Sequence, residues 1–427
     1  MQYFEDAEGK LVFRENGEVV LVEAWGEDSV RVRSRFLGDI LEETCGALTE
    51  EPVVKQGTVE ILDEWNASFT NGRMKVHMYV NGWGNALQMT FFNEKGEVLL
   101  REISNGGALC RKARYYRALS GGSFQAKVTF EANPEEKIYG MGQYQQERMN
   151  LKGCNLELAH RNSQASVPFY VSSLGYGFLW NNPAVGEVHF GTNTTEREAW
   201  STDQLDYWIT AGDRPADIER NYAAATGHAP MMPEFGLGFW QCKLRYYNQQ
   251  QVLDVAAEYK KRGIPLDVIV IDYYHWPRCG DYRFDEEYFP EPREMVEKLH
   301  EMGIETMVSV WPQVDWRSEN YAEMKQKGLL VKSNAGIDVQ MNFHGNNVFM
   351  DATNPRTRSY VWEKCKKNYA DLGINTFWLD EAEPEFGTYE YQSYRYSAGP
   401  VEKVGNIYPR EYARLFYEGQ KENGQEK

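Results

Sequence analysis

No run of about 18 consecutive apolar residues occurs anywhere in the 427-residue chain, so the sequence offers nothing to span a bilayer. Its first residues, MQYFEDAEGK, lack the charged and apolar regions of a signal peptide. Basic residues are scarce: 46 Lys and Arg against 63 Asp and Glu leave a formal net charge of −17. That balance argues against nucleic acid or an anionic membrane as partner. Cysteine is scarce as well. Cys45, Cys110, Cys154, Cys242, Cys279 and Cys365 stand too far apart for a CxxC pair, which excludes the usual zinc and iron–sulfur spacings. No metal and no cofactor are expected, and the protein reads as reduced, soluble and cytoplasmic. A homo-oligomer is compatible with this composition.

What is present in excess is aromatic. The 27 Tyr and 12 Trp exceed what packing requires, and sugar-binding clefts use such rings, although exposed aromatics also occur on ordinary surfaces. Up to residue 225 the pattern is β. LVFRENGEVVLVEAWGEDSVRVRSRF alternates apolar and polar residues, with turn signals at Asn16-Gly17 and Gly26-Glu27. Asn71-Gly72 and Asn81-Gly82 mark further turns. Short strands at regular spacing predict a β-sandwich over 1–225. Its polar stretches 139–153 and 160–183 carry Asn150, Arg161 and Asn162; they could reach toward a second domain or cap their own sheet. Residues 213–229 read as a short helix and linker, with Pro230 and Pro233 marking the boundary.

From residue 226 the period changes. KKRGIPLDVIVIDYYHW, HEMGIETMVSVWPQVDW and DLGINTFWLDEAEPE each run helix end, Gly-Ile, apolar strand, then polar or aromatic residues. Gly263, Gly303 and Gly373 stand where a helix terminates in a left-handed residue. They are 40 and then 70 residues apart, so the second interval carries an insertion over 313–353, with a short helix near 319–327. Near-continuous apolar strands argue for a parallel sheet covered on both faces. The pattern predicts strands at 236–241, 267–271, 305–310 and 376–379, and helices at 248–262, with Asn248 as N-cap, 291–302, 354–372 and 409–419. A tyrosine-rich loop, Tyr389–Tyr396, follows the fourth strand. A strand that delivers an acid to its carboxyl tip is how an α/β barrel presents catalytic groups, and Asp272 and Asp380 both stand there. A closed barrel needs eight strands. Four are visible, so the fold is either something else or the front half of a longer barrel.

Together, FWLDEAEPE, IVIDYYHW and NIYPREYARLFYEGQ resemble glycoside hydrolase family 31, the retaining α-glucosidases and α-xylosidases, over nearly the whole chain. The resemblance implies an all-β plus α/β protein: an N-terminal β-sandwich over 1–225, then the first half of a (β/α)8 barrel over 226–427. It implies Asp380 as nucleophile, Glu383 as a supporting acid, Asp272 as the acid that binds sugar hydroxyls, and Trp311 and Trp378 as walls of the same subsite. Asn162 would reach in from the N-terminal domain. His275 and Trp276 read as subsite walls or as loop packing; Trp311 and Trp378 have a barrel-core reading, and Asp272 a helix-cap or ion-pair reading, beside the chemical one. The YYHW form implies α-xylosides, with α-glucosides as the alternative. The family's acid/base aspartate lies beyond the fifth strand, whereas Lys427 stands 47 residues after Asp380. A C-terminally truncated, inactive member is therefore expected, its partner being a glycoside or oligosaccharide. Two rivals differ in class: a Mg²⁺ enzyme using Asp380, Glu381 and Glu383 as oxygen ligands, and a non-catalytic sugar-binding protein.

Overall fold

Met74–Asn81 buries every second residue, the signature of a strand with one face on a core and one toward water. Strands of this kind build the first half of the protein. In a computed structural model the described residues are 3–425 except 43–45, 52–53, 55, 82–85, 104–111, 335–340, 343–344 and 387–389. Cys45, Cys110, the turn at Gly82 and Tyr389 lie outside them. Two compact units emerge: Met1–Ala229 with Glu402–Asn406, and Pro230–Val401 with Ile407–Lys427.

The first unit holds an antiparallel sheet of eight strands and two of five. Asn16-Gly17 forms a two-residue hairpin, with φ of 52° and 80°, between Leu11–Glu15 and Glu18–Ala24; two positive φ angles are what such a turn demands. Phe69, Val76, Met89, Phe130, Phe178 and Tyr207 belong to its main core. Strands Glu18–Ala24 and Leu205–Ala211 depart from alternation, since every residue in each is buried. A second layer explains this on the Leu205–Ala211 strand, where helix Pro215–Thr226 lays Ile218 against Leu179 and Trp208. Gly177 permits the approach, because a Cβ there would stand 2.6 Å from Ile218 Cγ2. Buried charge is paired: Arg33 meets Glu23 at 2.6 Å, and Arg114 lies between Glu18, at 2.5 Å, and Glu102. Glu402–Asn406 joins this unit through backbone bonds, Val185 N to Glu402 O and Asn406 N to Pro183 O.

The second unit is organised on four parallel strands in chain order, Trp240–Lys243, Val268–Ile271, Glu305–Val310 and Thr376–Leu379, here strands one to four. Strands one and four form its edges among the described residues. Helices Gln249–Lys261, Pro292–Glu301 and Pro355–Asn368 connect them. Asn248 caps the first of these, its side chain accepting from Gln251 N. Gly263, Gly303 and Gly373, at φ of 64°, 69° and 100°, end the helical segments in the left-handed region. The insertion carries helix Tyr321–Lys327 and a small antiparallel sheet. Tyr408–Glu422 is the last helix, packed through Phe416 against Trp362 and Phe377. No described helix is long and apolar enough to cross a membrane.

Candidate active site

Alternation along the strands sorts the two faces of the parallel sheet. Phe377 of strand four packs on the helical side, its ring 4.9 Å from Phe416 and 6.4 Å from Tyr369. Thr376 and Trp378 therefore face the other way. The register puts Met307 and Ser309 of strand three, Val268 and Val270 of strand two, and Trp240 and Cys242 of strand one on that same inner face. Val268, Val270 and Met307 form its apolar floor with Trp240 and Phe235.

Above the floor the residues turn polar. Asp272 follows Ile271, level with Ser309; Asp380 follows Leu379, level with Trp311. Asp380 N still donates to Val310 O at 3.2 Å, so the acid begins where the ladder ends. Both acids stand at carboxyl ends of parallel strands, on either side of strand three. Two strand spacings separate them, about 10 Å.

Asp272 is fixed on several sides. Its Oδ1 accepts from Tyr273 N at 2.7 Å, and Cys242 Sγ lies 4.0 Å from Oδ2. Burial raises its pKa above the ordinary carboxylate value, the charge of Asp380 adds to the rise, and Tyr273 N–H and Ser309 oppose it. The Cys242 thiol is raised as well, by burial first and by the charge of Asp272 second. The charge of Asp380 is thus felt at Asp272 across strand three.

Aromatic rings close one side. Tyr273 stacks on Trp311 with centroids 4.8 Å apart and planes 19° apart, and Trp276 meets the same indole edge-on at 5.8 Å. Tyr274 leans on Tyr273 at 3.9 Å, and Arg245 lies 5.0 Å over the Tyr274 ring. Trp311 is buried under this stack, whereas Trp378 stays 45% exposed beside Asp380.

The loop after Asp380 concentrates carboxyls. Glu381 holds φ of 55°, a left-handed conformation uncommon outside glycine, and is only 8% exposed. Its Oε2 makes no hydrogen bond among the described residues. Burial, then the charges of Glu385, Glu383 and Asp380, push its pKa up to about 8. Glu383 is raised too, by burial first and by Glu385 and Asp380 after it. No three described His, Cys, Asp or Glu side chains gather so as to hold a metal ion.

The sequence-predicted residues thus fall into three places. Asp272, Trp276, Trp311, Trp378, Asp380 and Glu383 cluster at the carboxyl end of one sheet. His275 lies behind that surface, 1% exposed, so what it can give a bound sugar is position and not contact. Asn162 belongs to the other unit, exposed in the turn before Ala165–Ser172, where Ser163 Oγ donates to its side chain at 3.0 Å. Cys242, Ser309 and Tyr273 join the site without having been singled out for it, and Glu381, named above only as an oxygen ligand in the Mg²⁺ reading, joins them. A strand-one residue two steps beyond Trp240 was findable by alternation; the others depend on contacts between distant segments.

Two family models match: the glycosyl hydrolases family 31 TIM-barrel domain over residues 229–427, and the glycosyl hydrolase 31 N-terminal galactose mutarotase-like domain over residues 4–188. A protein of Pseudescherichia vulneris named uncharacterized family 31 glucosidase ORF2 is 48% identical over 97% of this chain and 80% of its own length. The chain belongs to glycoside hydrolase family 31. Alpha-xylosidase A of Aspergillus niger is 30% identical, across 98% of this chain and 61% of that enzyme. A solved family 31 α-xylosidase from a soil metagenome, complexed with xylose, superposes with a TM-score of 0.93 at 50% identity, covering 99% of this chain and 64% of that one. The chain therefore spans under two thirds of these last two family members. The four-stranded parallel sheet is the start of the family's barrel, and the all-β unit is its mutarotase-like domain.

Proposed function

We propose that these 427 residues are the sandwich and nucleophile-bearing part of a retaining α-xylosidase, acting on terminal α-xylosides. In this reading the Asp380 carboxylate attacks the anomeric carbon, the bond to the glycosidic oxygen breaks, and a glycosyl ester on Asp380 forms; water then cleaves that ester. Asp272 binds the hydroxyl edge of the sugar. Trp378, open on the inner face, covers an apolar face of the ring, while Trp311 backs the Tyr273 wall. Glu383 supports the nucleophile loop. The observation that carries the reading is the placement of Asp272 and Asp380 at the carboxyl tips of strands two and four, with only strand three between them.

The proton donor is the missing part. Retaining enzymes set it about 5–5.5 Å from the nucleophile, and its help is commonly worth about 10²–10⁴-fold. The family resemblance puts it beyond a fifth strand, so this polypeptide alone leaves ordinary xylosides intact. Fluoride departs without a proton, which gives a direct test. Incubation with 5-fluoro-α-D-xylopyranosyl fluoride should add one fluoroxylosyl unit to Asp380, seen by peptide mass spectrometry, and Asp380→Ala should abolish it. Label on another residue, or none on the folded wild-type chain, overturns the reading.

The glucosidase name of the 48%-identical relative favours a second substrate, an α-glucoside, at the same atoms. The difference is one hydroxymethyl group, and labelling rates with the matching glucosyl fluoride decide between them. A reducing compartment, the cytoplasm, fits the free thiols Cys154, Cys242, Cys279 and Cys365.

A further inference from the structure

The hydrogen bonds of His275 fix its chemistry. Nδ1 lies 3.0 Å from the Asp272 carbonyl oxygen, and Nε2 lies 3.0 Å from the Tyr369 hydroxyl. A carbonyl can only accept, so Nδ1 carries the hydrogen. The lone pair on Nε2 then accepts from the Tyr369 O–H. Burial keeps the ring neutral, its pKa pushed down to about 4. The imidazole has no room to turn: it packs 4.8 Å from Trp276, 5.0 Å from Phe284 and 5.6 Å from Tyr369.

Both ends of this chain of bonds lead to an acid. On one side the Asp272 carbonyl begins a tight turn in which Tyr274 holds φ of 73°, a conformation an aromatic residue keeps only when its surroundings impose it. His275 imposes it from within the turn through its Nδ1–H. On the other side Tyr369 closes helix Pro355–Asn368, and its carbonyl accepts from Leu372 N and Ile374 N, at 3.0 and 3.1 Å. Ile374 runs directly into strand four and Asp380.

We infer that His275 and Tyr369 are positioning residues that tie the Asp272 turn to the segment leading to Asp380, and so set the spacing of the two acids across a bound sugar. Neither touches the sugar; each acts through the backbone it holds. The inference rests on the proposed reading of Asp272 and Asp380.

The test is the rate of Asp380 labelling by 5-fluoro-α-D-xylopyranosyl fluoride as a function of reagent concentration. His275→Leu fills the space without the donor and leaves the Asp272 carbonyl and the Tyr369 hydroxyl unpaired. It should raise the half-saturating concentration about tenfold, the size of a lost buried hydrogen bond. His275→Asn puts an amide N–H near the Nδ1 position and should recover to within about threefold. Tyr369→Phe, which leaves packing nearly intact, keeps the proposal testable if His275→Leu does not fold; it should shift the same constant about three- to tenfold. A residue that only stabilises the fold would lower melting temperature in all three variants without separating Asn from Leu. Equal labelling in wild type, His275→Leu and Tyr369→Phe overturns this inference alone, as does an Asn variant as impaired as Leu. Absence of label on the wild-type protein overturns the proposed function and this inference with it.

Discussion

Glu381 makes the second unit's stability fall with rising pH, and Glu381→Gln should remove that dependence. In the unfolded chain this carboxyl titrates near its ordinary value, about 4.3. In the folded protein it is 8% exposed beside Asp380, Glu383 and Glu385 and titrates at about 8. A group whose folded pKa is raised contributes its full share below the unfolded value and loses it as pH climbs through the folded one. The window is therefore about pH 4.5 to 8. One extra proton held by the folded state corresponds to about 1.4 kcal/mol per pH unit, or roughly 2.7 kcal/mol between pH 5 and 7. The neighbouring acids Asp380, Glu383 and Glu385 are only half-buried, and solvent screening reduces this to about 1–2 kcal/mol. Glutamine keeps the shape of the protonated acid and cannot ionise. Urea midpoints of wild type and Glu381→Gln, measured at half-unit steps from pH 5 to 8, report the difference at constant slope. Taking the difference cancels the other titrating groups. Wild type should match the variant near pH 5 and fall behind it toward pH 8. Parallel curves across that range would refute the argument, because they would mean that Glu381 ionises in place at no cost.

Further outcomes follow from other contacts. Arg114→Met, which strands Glu18 and Glu102 in the sandwich interior, should cost about 3–5 kcal/mol in urea unfolding followed by tryptophan fluorescence, and a loss below about 1 kcal/mol would mean those acids are not truly desolvated. Trp378→Ala should leave the unfolding midpoint within about 0.5 kcal/mol, since the ring is half exposed, yet slow Asp380 labelling about tenfold by removing a face on which the sugar stacks. A large stability loss with unchanged labelling would assign that indole to packing instead.

Much of this arrangement could be read along the chain, and the exceptions share a cause. Asn248, Gly263, Gly303 and Gly373 act through local geometry, and they end or begin helices where the pattern puts them. Strands two to four announce themselves as apolar runs closed by an acid or tryptophan. Strand one does not obey the pattern: 236–241 was the expectation, and the observed strand is Trp240–Lys243. Residues Glu234–Leu237 coil into a short 3-10 helix, and Asp267 accepts from Phe239 N at 2.9 Å, a contact between segments 28 residues apart. His275 was read as subsite wall or loop packing, and the contact that sorts it lies out of local reach, because its partner Tyr369 is 94 residues further on. Glu381 was visible as one acid among several. Its burial and left-handed backbone come from the turn after strand four, which residue type alone does not encode.

Among the described residues the parallel sheet ends on both sides in a strand paired along one flank only. Rows of backbone N–H and C=O on the outer flanks of Trp240–Lys243 and Thr376–Leu379 are templates for any extended segment that comes near. Handled by itself, this polypeptide will behave differently at high and low concentration: dilute samples stay dispersed, while crowded ones stick edge to edge, with strand one seeking strand four of a neighbour.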